Sequence, residues 1–152
     1  MVHIAVIGAG DCSERAAQLA YETGRLIGSR NAVLVCGGLG GVMEHAARGA
    51  KDAGGLTVGI LPGVSKAEAN PYIDIALPTG MSHARNVLVV RAADGVIAIE
   101  GAYGTLSEIA IALKLGKPVV GLNTWNLTPD IIQASGPADA LEKLFKVMSK
   151  VI

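Results

Sequence analysis

Aromatic and charged residues are scarce in this chain. Of its 152 residues, one is Trp, one is Phe and three are Tyr, and charged residues make up 17%. Thirteen Lys and Arg balance thirteen Asp and Glu, so the formal net charge is zero. Proteins that bind single-stranded nucleic acid combine a basic groove with stacking aromatic side chains. The composition therefore disfavours nucleic acid as a partner and provides no overall attraction to an anionic membrane.

Cysteine and long apolar runs are also lacking. Cys12 and Cys36 are the two cysteines, in a chain rich enough in apolar residues to need no disulfide framework. The three histidines are scattered at His3, His45 and His83 and show no metal-ligand spacing. No apolar run reaches the roughly 18 residues of a membrane span, and no basic segment precedes an apolar one at the N-terminus. We therefore predict a cytoplasmic protein with no metal site and no membrane partner.

Glycine and small aliphatic residues are abundant instead, with 20 glycines and 51% hydrophobic residues. Apolar runs bounded by glycine alternate with segments of helical period, which is typical of repeated βα units. The predicted strands cover residues 2–7, 32–36, 57–61, 73–77, 96–99 and 118–122. The predicted helices cover residues 13–28, 42–53, 83–93, 106–115 and 138–151. We predict one domain, residues 1–152, with a three-layer α/β/α Rossmann-like fold and a mainly parallel sheet.

Glycine and proline mark the ends of the predicted helices. Gly54 and Gly116 stand where a left-handed C-cap is expected, and Pro137 suits the first turn of the last helix. Residues 62–71 form the longest connection without strong periodicity, with one helical turn predicted at residues 66–70. Such a segment is compatible with a lid and equally with a plain surface loop.

Three glycine-rich turns follow three predicted strands, and each opens a helix. They read Gly8-Ala9-Gly10-Asp11, Gly37-Gly38-Leu39-Gly40-Gly41 and Gly101-Ala102-Tyr103-Gly104-Thr105. In an open parallel sheet, turns that follow the carboxyl ends of strands meet at one edge. Glycine lets backbone amides approach an anion, and a helix N-terminus adds positive partial charge. One such turn is equally explained as a tight corner. Three converging turns predict a phosphate site.

Two common nucleotide-binding motifs do not fit. The first turn has Ser13 where the third glycine of a dinucleotide fingerprint belongs, and no acidic residue follows the second strand to bind a ribose hydroxyl. No glycine loop closes with lysine followed by Ser or Thr, as a P-loop does. NAD binding and ordinary NTP hydrolysis are therefore disfavoured.

Glu108, Arg85 and Cys36 lie near these turns, and each has two explanations. Thr105 and Glu108 have the spacing of a helix capping box, in which the carboxylate needs no further role. Arg85 precedes the apolar run 87–90, either as part of a solvated first turn or as a ligand of phosphate or carboxylate. Cys36 either touches a ligand or is simply buried. The residues alone leave these alternatives open.

The order of the motifs resembles the LONELY GUY family of Rossmann-fold proteins, formerly labelled putative lysine decarboxylases, with its molybdenum cofactor carrier protein branch. The resemblance runs nearly end to end. It is carried by Gly37-Gly38-x-x-Gly41-Val42-Met43-Glu44, Gly59-Ile60-Leu61-Pro62, His83-x-Arg85 and Gly101-x-x-Gly104-Thr105-x-x-Glu108.

This resemblance implies a catalytic pair. In the LONELY GUY enzymes, the equivalents of Arg85 and Glu108 cleave the N-glycosidic bond of a nucleoside 5′-monophosphate and release the base and ribose 5-phosphate. Glu108 would activate water or stabilise positive charge on the ribose, and Arg85 would orient the substrate. Together with the glycine turns, the resemblance predicts a ligand and phosphate site comprising Gly8, Gly10, Gly37, Gly38, Gly41, Met43, Pro62, Asn86, Gly101, Gly104 and Thr105.

The chain departs from the enzyme pattern at two places. The enzymes have Pro-Gly-Gly where this chain has Glu100-Gly101-Ala102, and lysine where it has Asn86. Glu100 adds an acid beside the predicted phosphate site, which should weaken anion binding there. At both places the chain resembles the molybdenum cofactor carrier branch instead, whose role is to bind and protect a phosphorylated pterin.

Two main hypotheses follow. The first is a carrier-type protein that binds a small phosphorylated heterocycle, such as molybdenum cofactor or AMP, with no resident cofactor firmly implied. The second is a nucleoside 5′-monophosphate phosphoribohydrolase. A third class, DNA-processing proteins with a related Rossmann core, needs a basic groove and is disfavoured by the composition.

Self-association is also expected, because both branches of the resembling family form homodimers. The predicted helices around residues 87–90 and 109–115 are apolar on nearly every side, and such helices must be covered all round. A dimer interface would cover them, as would burial within the monomer. We predict a homodimer or a higher homo-oligomer.

Overall fold

A seven-stranded parallel sheet organises the chain. The structure is a computed structural model and describes residues 1–150. The strands are β1 (His3–Gly8), β2 (Val33–Cys36), β3 (Thr57–Leu61), β4 (Ile75–Pro78), β5 (Gly95–Ile99), β6 (Val119–Leu122) and β7 (Ile131–Gln133). Their order is β4-β3-β2-β1-β5-β6-β7, and every neighbouring pair is parallel. This arrangement confirms the predicted α/β Rossmann-like class, with a sheet that is parallel throughout.

Helices cover both faces of the sheet. They are α1 (Glu14–Ser29), α2 (Val42–Asp52), α3 (Asn86–Arg91), α4 (Tyr103–Lys114) and α5 (Pro137–Ser149), with short 3-10 turns at Lys66–Glu68 and Ser82–Arg85. Helices α1, α2 and α5 share a core with Ile4 and Leu34, whereas α3 and α4 share one with Ala5 and Val35. Successive strand residues point to opposite faces, so a sheet covered on both sides needs the continuous apolar runs seen in the sequence. Over residues 1–150, we find no helix with the length and apolar character that a membrane span requires.

The side of the sheet to which successive strands are added changes at its centre. Strands β2, β3 and β4 are added on one side of β1, and β5 then pairs with its other side. Helix α1 follows β1 onto one face, while α4 follows β5 onto the opposite face. The two connections therefore diverge and leave a crevice beyond the carboxyl ends of β1 and β5, which is where open α/β sheets bind ligands.

Several predicted boundaries are wrong. The predicted strand 73–77 is observed as Ile75–Pro78, and the predicted helix 83–93 divides into the 3-10 turn Ser82–Arg85 and the shorter α3. Strand β7 was not predicted, because three residues are too few to show a period. The last predicted helix ends at Ser149 rather than residue 151, and residues 151 and 152 lie outside the described part of the chain.

Other local predictions are confirmed. Gly54 and Gly116 follow the C-cap residues of α2 and α4 and adopt positive φ angles of 78° and 75°, and Pro137 lies in the first turn of α5. The helical turn expected at residues 66–70 is the shorter 3-10 turn Lys66–Glu68. Just after it, Asn70 donates from its backbone to the Gly38 carbonyl at 2.9 Å and from its side chain to the Leu39 carbonyl at 2.8 Å. The end of this connection is therefore attached to the second glycine turn.

Helices α1 and α2 pack with their backbones in close contact. A Cβ atom added at Gly24 of α1 would lie 1.9 Å from the carbonyl oxygen of Ala46. One added at Gly49 of α2 would lie 2.0 Å from the carbonyl oxygen of Tyr21. Both obstacles are backbone atoms, which cannot rotate away, so the two helices would have to separate.

We expect Gly24→Ala to lower the free energy of unfolding by about 1–3 kcal/mol, although alanine is the better helix former by about 1 kcal/mol. Chemical denaturation measures this change. Gly104→Ala in α4 is the matched control, because an added Cβ there meets nothing within 4 Å and stability should hold or rise. Equal stability of the two variants would show that the close approach of α1 and α2 is not required.

Candidate functional site

The crevice beyond β1 and β5 contains a cavity of about 250 Å³. Four segments form its walls: the turn after β1, the start of α2, the segment around the 3-10 turn Ser82–Arg85, and the first two turns of α4. The lining residues are Gly8, Ala9, Gly10, Met43, His83, Arg85, Asn86, Ala102, Gly104, Thr105 and Glu108. The parallel sheet brings these distant segments together because their strands end at one edge.

The N-terminus of α4 opens onto this cavity without a side-chain cap. Ala102 is the N-cap residue and forms no side-chain capping bond. The first amides of α4 are therefore left for water or a ligand, and the helix dipole favours an anion there. Gly101 has a φ of 95°, and a Cβ at this position would lie 2.2 Å from the Thr105 hydroxyl. Glycine is thus required where the chain turns from β5 into α4.

The capping-box explanation of Thr105 and Glu108 is wrong. Helix α4 begins at Tyr103, three residues before the predicted start, so Thr105 lies inside the first turn rather than at the N-cap. Glu108 instead contributes to the cavity wall and is 7% exposed. Burial raises the pKa of its carboxyl from 4.5 to about 7, and the positive charge of Arg85 opposes that rise. Near neutral pH, Glu108 therefore exists in both protonation states.

Arg85 is buried, so its explanation as part of a solvated turn is also wrong. The residue is 9% exposed and ends the 3-10 turn before α3. Its Nη1 donates to Oδ1 of Asn86, and its Nη2 donates to the carbonyl of Gly37 at 3.5 Å. Its Nε is buried and has no hydrogen-bond partner among residues 1–150. Burial lowers the pKa of Arg85, while the nearby Glu108 carboxylate raises it.

Arg85 and Glu108 carry opposite charges in one cavity without forming a direct ion pair. Within the described part of the chain, ion pairs with N–O distances of up to 4.0 Å join other residues, and this pair is not among them. The two groups nevertheless influence each other's pKa. Each retains hydrogen-bonding capacity that a bound molecule could use.

The three glycine turns play different parts. Gly8 and Gly10 of the first turn and Gly104 of the third line the cavity. The second turn, with Gly37, Gly38 and Gly41, lies behind the lining residues. The Gly37 carbonyl accepts from Arg85, and a Cβ at Gly41 would lie 2.2 Å from the Ala9 carbonyl. The second turn thus supports Arg85 and the first turn.

Pro62 also lies outside the cavity lining. Its carbonyl accepts the backbone N–H of Ser82 at 3.0 Å and so holds the 3-10 turn that carries Arg85. Met43 and Asn86 belong to the predicted ligand site, and both line the cavity. Sequence reasoning assigned no role to His83, which is exposed and also lines it. The signal was present, since His83 is part of the His83-x-Arg85 motif.

The remaining acid and thiol groups lie beside the site. Glu100 accepts a hydrogen bond from the Ser13 hydroxyl at 3.4 Å and is not a lining residue. Cys36 is buried, accepts from the Gly38 amide at 3.4 Å, and has a pKa raised by burial to about 12, so it remains a thiol. Burial also raises the pKa of Cys12. Residues 1–150 contain no group of three or more His, Cys, Asp or Glu side chains able to hold a metal ion.

Comparison with known proteins gives a consistent picture. The SLOG cluster4 family model matches residues 1–150. An uncharacterized protein of Archaeoglobus fulgidus is 52% identical over 122 residues, which is 80% of each chain. The Oryza sativa subsp. japonica protein named "Probable cytokinin riboside 5'-monophosphate phosphoribohydrolase LOGL9" is 31% identical over 113 residues. That match covers 68% of this chain and half of the rice protein.

Two solved structures share the fold over almost the whole chain. The molybdenum cofactor binding protein from Rippkaea orientalis has a TM-score of 0.92 and 38% identity, and 97% of each chain is covered. The molybdenum cofactor carrier protein from Chlamydomonas reinhardtii has a TM-score of 0.90 and 32% identity, with 98% of this chain and 99% of that chain covered. These matches confirm the resemblance derived from the motifs.

The burial of Glu108 predicts a specific pH dependence of stability. A folded-state pKa above the unfolded value means that the stabilising contribution is complete below about pH 4.5 and is lost as pH rises through 7. Between pH 5 and 8, the free energy of unfolding should therefore fall by about 2.5 kcal/mol from this group. Glu108→Gln should remove that fall and be more stable than the natural protein at pH 8. Denaturation series across this range measure both.

The matched control is Glu142→Gln, which changes an exposed glutamate on α5. Its pH profile should follow that of the natural protein. If the free energy of unfolding changed with pH in the same way in the natural protein and in Glu108→Gln, the raised pKa of Glu108 would be contradicted.

Proposed function

Because this chain belongs to the SLOG cluster4 family, we propose that it binds a small phosphorylated, nucleotide-like molecule in the crevice beyond β1 and β5, as a carrier-type protein. The ligand class is a flat heterocycle joined to a phosphate, either a pterin phosphate of the molybdenum cofactor type or a nucleoside monophosphate such as AMP. One observation carries this proposal: the uncapped N-terminus of α4 and the buried guanidinium-bearing residue Arg85 line one cavity.

The phosphate would lie at the start of α4. Amides there supply donors and positive partial charge, and Gly104 leaves room for close approach. Arg85 adds a full positive charge, and arginine forms strong hydrogen bonds with phosphate. Such a ligand would accept hydrogen bonds from guanidinium N–H groups that the bonds to Asn86 and Gly37 leave unused.

The heterocycle would extend towards the open side of the cavity. A volume of about 250 Å³ is below the roughly 300–1,000 Å³ of pockets that enclose a whole drug-sized ligand. The cavity therefore suits the phosphate and the adjoining part of the molecule. Molybdenum cofactor would be cargo held through its phosphate, since residues 1–150 present no metal-ligating cluster. The names of the two related structures support a carrier role.

A second function is favoured by Glu108. A carboxyl with a pKa of about 7 in the cavity is suited to accept a proton near neutral pH. In a phosphoribohydrolase, water would attack the ribose C1′, the N-glycosidic bond would break, and the base would leave with the bonding electrons and receive, by way of Glu108, the proton that water loses. Ionised Glu108 would take the proton from water and stabilise positive charge on the ribose. The name of the rice relative supports this alternative.

The test combines binding with turnover. Purified protein is incubated with nucleoside 5′-monophosphates and a phosphorylated pterin, and the melting temperature and release of free base are measured. We expect a dose-dependent rise in melting temperature that Arg85→Ala abolishes, because the buried cation is lost. No rise with any phosphorylated heterocycle would overturn the binding function.

Turnover separates the carrier from the hydrolase. A carrier binds without releasing base, whereas a hydrolase releases base at a rate that rises as pH passes 7 and Glu108 ionises. Glu108→Gln should then lower the rate by a factor of at least about 100, within the usual range for loss of a general base. Glu142→Gln should have the natural rate. A rate of base release that Glu108→Gln leaves unchanged would exclude this mechanism.

We also propose that the protein forms a homodimer through the sheet face that carries α3 and α4. The predicted interface helices are partly covered within the monomer, where Val89 and Ile109 are buried. Exposed apolar side chains remain on β4 of the same face, with Ile75 44% and Leu77 48% exposed. Leu77 pairs in register with Ile60, which belongs to the core under α3 and α4. A second copy would cover this uncovered end of the sheet face.

Leu77→Lys should therefore weaken self-association, because it places a charge on the proposed interface. Sedimentation velocity at several protein concentrations measures the effect. Leu127→Lys is the matched control, since Leu127 is 68% exposed in the connection between β6 and β7 and should leave association unchanged. A monomeric natural protein at all concentrations would contradict the dimer.

A further inference from the structure

Asn86 connects two walls of the cavity. It follows the 3-10 turn that carries Arg85 and is 7% exposed. Its Oδ1 accepts from Nη1 of Arg85, and its Nδ2 donates to the Ser107 hydroxyl at 3.2 Å. Ser107 in turn donates to the Gly104 carbonyl at 2.7 Å. An unbroken series of hydrogen bonds therefore runs from the Arg85 guanidinium to the first turn of α4.

We infer that Asn86 is a positioning residue, which sets the direction of the Arg85 guanidinium relative to the start of α4, rather than a residue that contacts the ligand. This inference rests on the proposed binding function. The Gly37 carbonyl holds Nη2 and Asn86 holds Nη1, so a planar guanidinium keeps one orientation. The three remaining N–H groups, on Nε and one on each Nη, then keep a constant direction. Holding a charged group in place before binding reduces the ordering cost of binding.

The chemistry of this position selects asparagine. The side chain must accept a hydrogen bond from a cation on one side and donate to a hydroxyl on the other, since the Ser107 proton is already given to the Gly104 carbonyl. An ionised aspartate only accepts, a lysine only donates, and a leucine does neither. Lysine would also place a second positive charge against Arg85. Asparagine satisfies both partners and adds no charge.

The test uses substitutions of Asn86 for which two roles predict different results: contact with the ligand, and positioning of Arg85. AMP is the probe, and its dissociation constant is measured by calorimetry. Asn86→Leu should weaken AMP binding about tenfold or more, because Arg85 loses one of its two anchors. Asn86→Lys adds a cation to the cavity and would tighten AMP binding if residue 86 met the phosphate. Under the positioning role it weakens binding.

Substitutions of Ser107 test the same series of hydrogen bonds independently. Ser107→Ala removes the partner of the Asn86 amide and should weaken AMP binding less than Asn86→Leu, while Ser107→Thr keeps the hydroxyl and should restore it. Thr23→Val is the control for a general loss of stability. Thr23 is fully buried and donates to the Leu19 carbonyl at 2.7 Å in α1, away from the cavity. It should leave AMP binding unchanged.

A measurement without ligand separates this inference from the proposed function. In 15N-labelled protein, the Arg85 η protons should give resolved signals, assigned by their loss in Arg85→Lys, because both Nη atoms are held. In Asn86→Leu they should average through rotation. Resolved signals that become averaged support positioning even if the natural protein binds no AMP, in which case the binding function alone fails. Unchanged signals in Asn86→Leu, or tighter AMP binding by Asn86→Lys, would overturn the inference.

Discussion

The pairing of β1 with β5 at the centre of the sheet is the constraint on which the rest of the structure depends. The register places Gly8 opposite Ile99, so both strands end at the same level. Their connections then leave towards opposite faces of the sheet. Neither connection can close over the other, so a crevice remains where two backbone turns and the N-terminus of α4 face one another. Thr105 and Glu108 reach this crevice from α4, which follows β5, whereas Arg85 and Asn86 reach it from the connection between β4 and β5.

Two buried charges stand out against this apolar framework. Burial disfavours the charged forms of both Arg85 and Glu108, as the directions of their pKa shifts show, and no direct ion pair within the described residues compensates them. Such groups lower stability, and perturbed carboxyls and guanidiniums concentrate at functional sites. Both proposed functions would use the same cavity, because phosphate binding would rely on Arg85 and glycosidic cleavage would also need the ionised carboxylate of Glu108.

Backbone groups behind the cavity hold Arg85 in place. The Gly37 carbonyl accepts from Arg85, and the Pro62 carbonyl secures the turn in which Arg85 lies. Both residues belong to the recognised motifs, yet neither lines the cavity. Their part is to support the lining residues. Met43 and Gly104, in contrast, form the cavity wall itself.

The sequence by itself determined the parallel α/β class, most strand and helix positions, and the helix ends at Gly54 and Gly116. It also determined the family of the chain, through motifs that include Arg85 and Glu108. Apolar period and turn chemistry depend on neighbours along the chain, so they can be read without a structure. Tertiary structure alone decided that α4 begins before Thr105, that β7 joins the sheet, and that Arg85 is buried. These features depend on burial and hydrogen bonds between segments far apart in sequence, which arise only when the sheet edge brings those segments together.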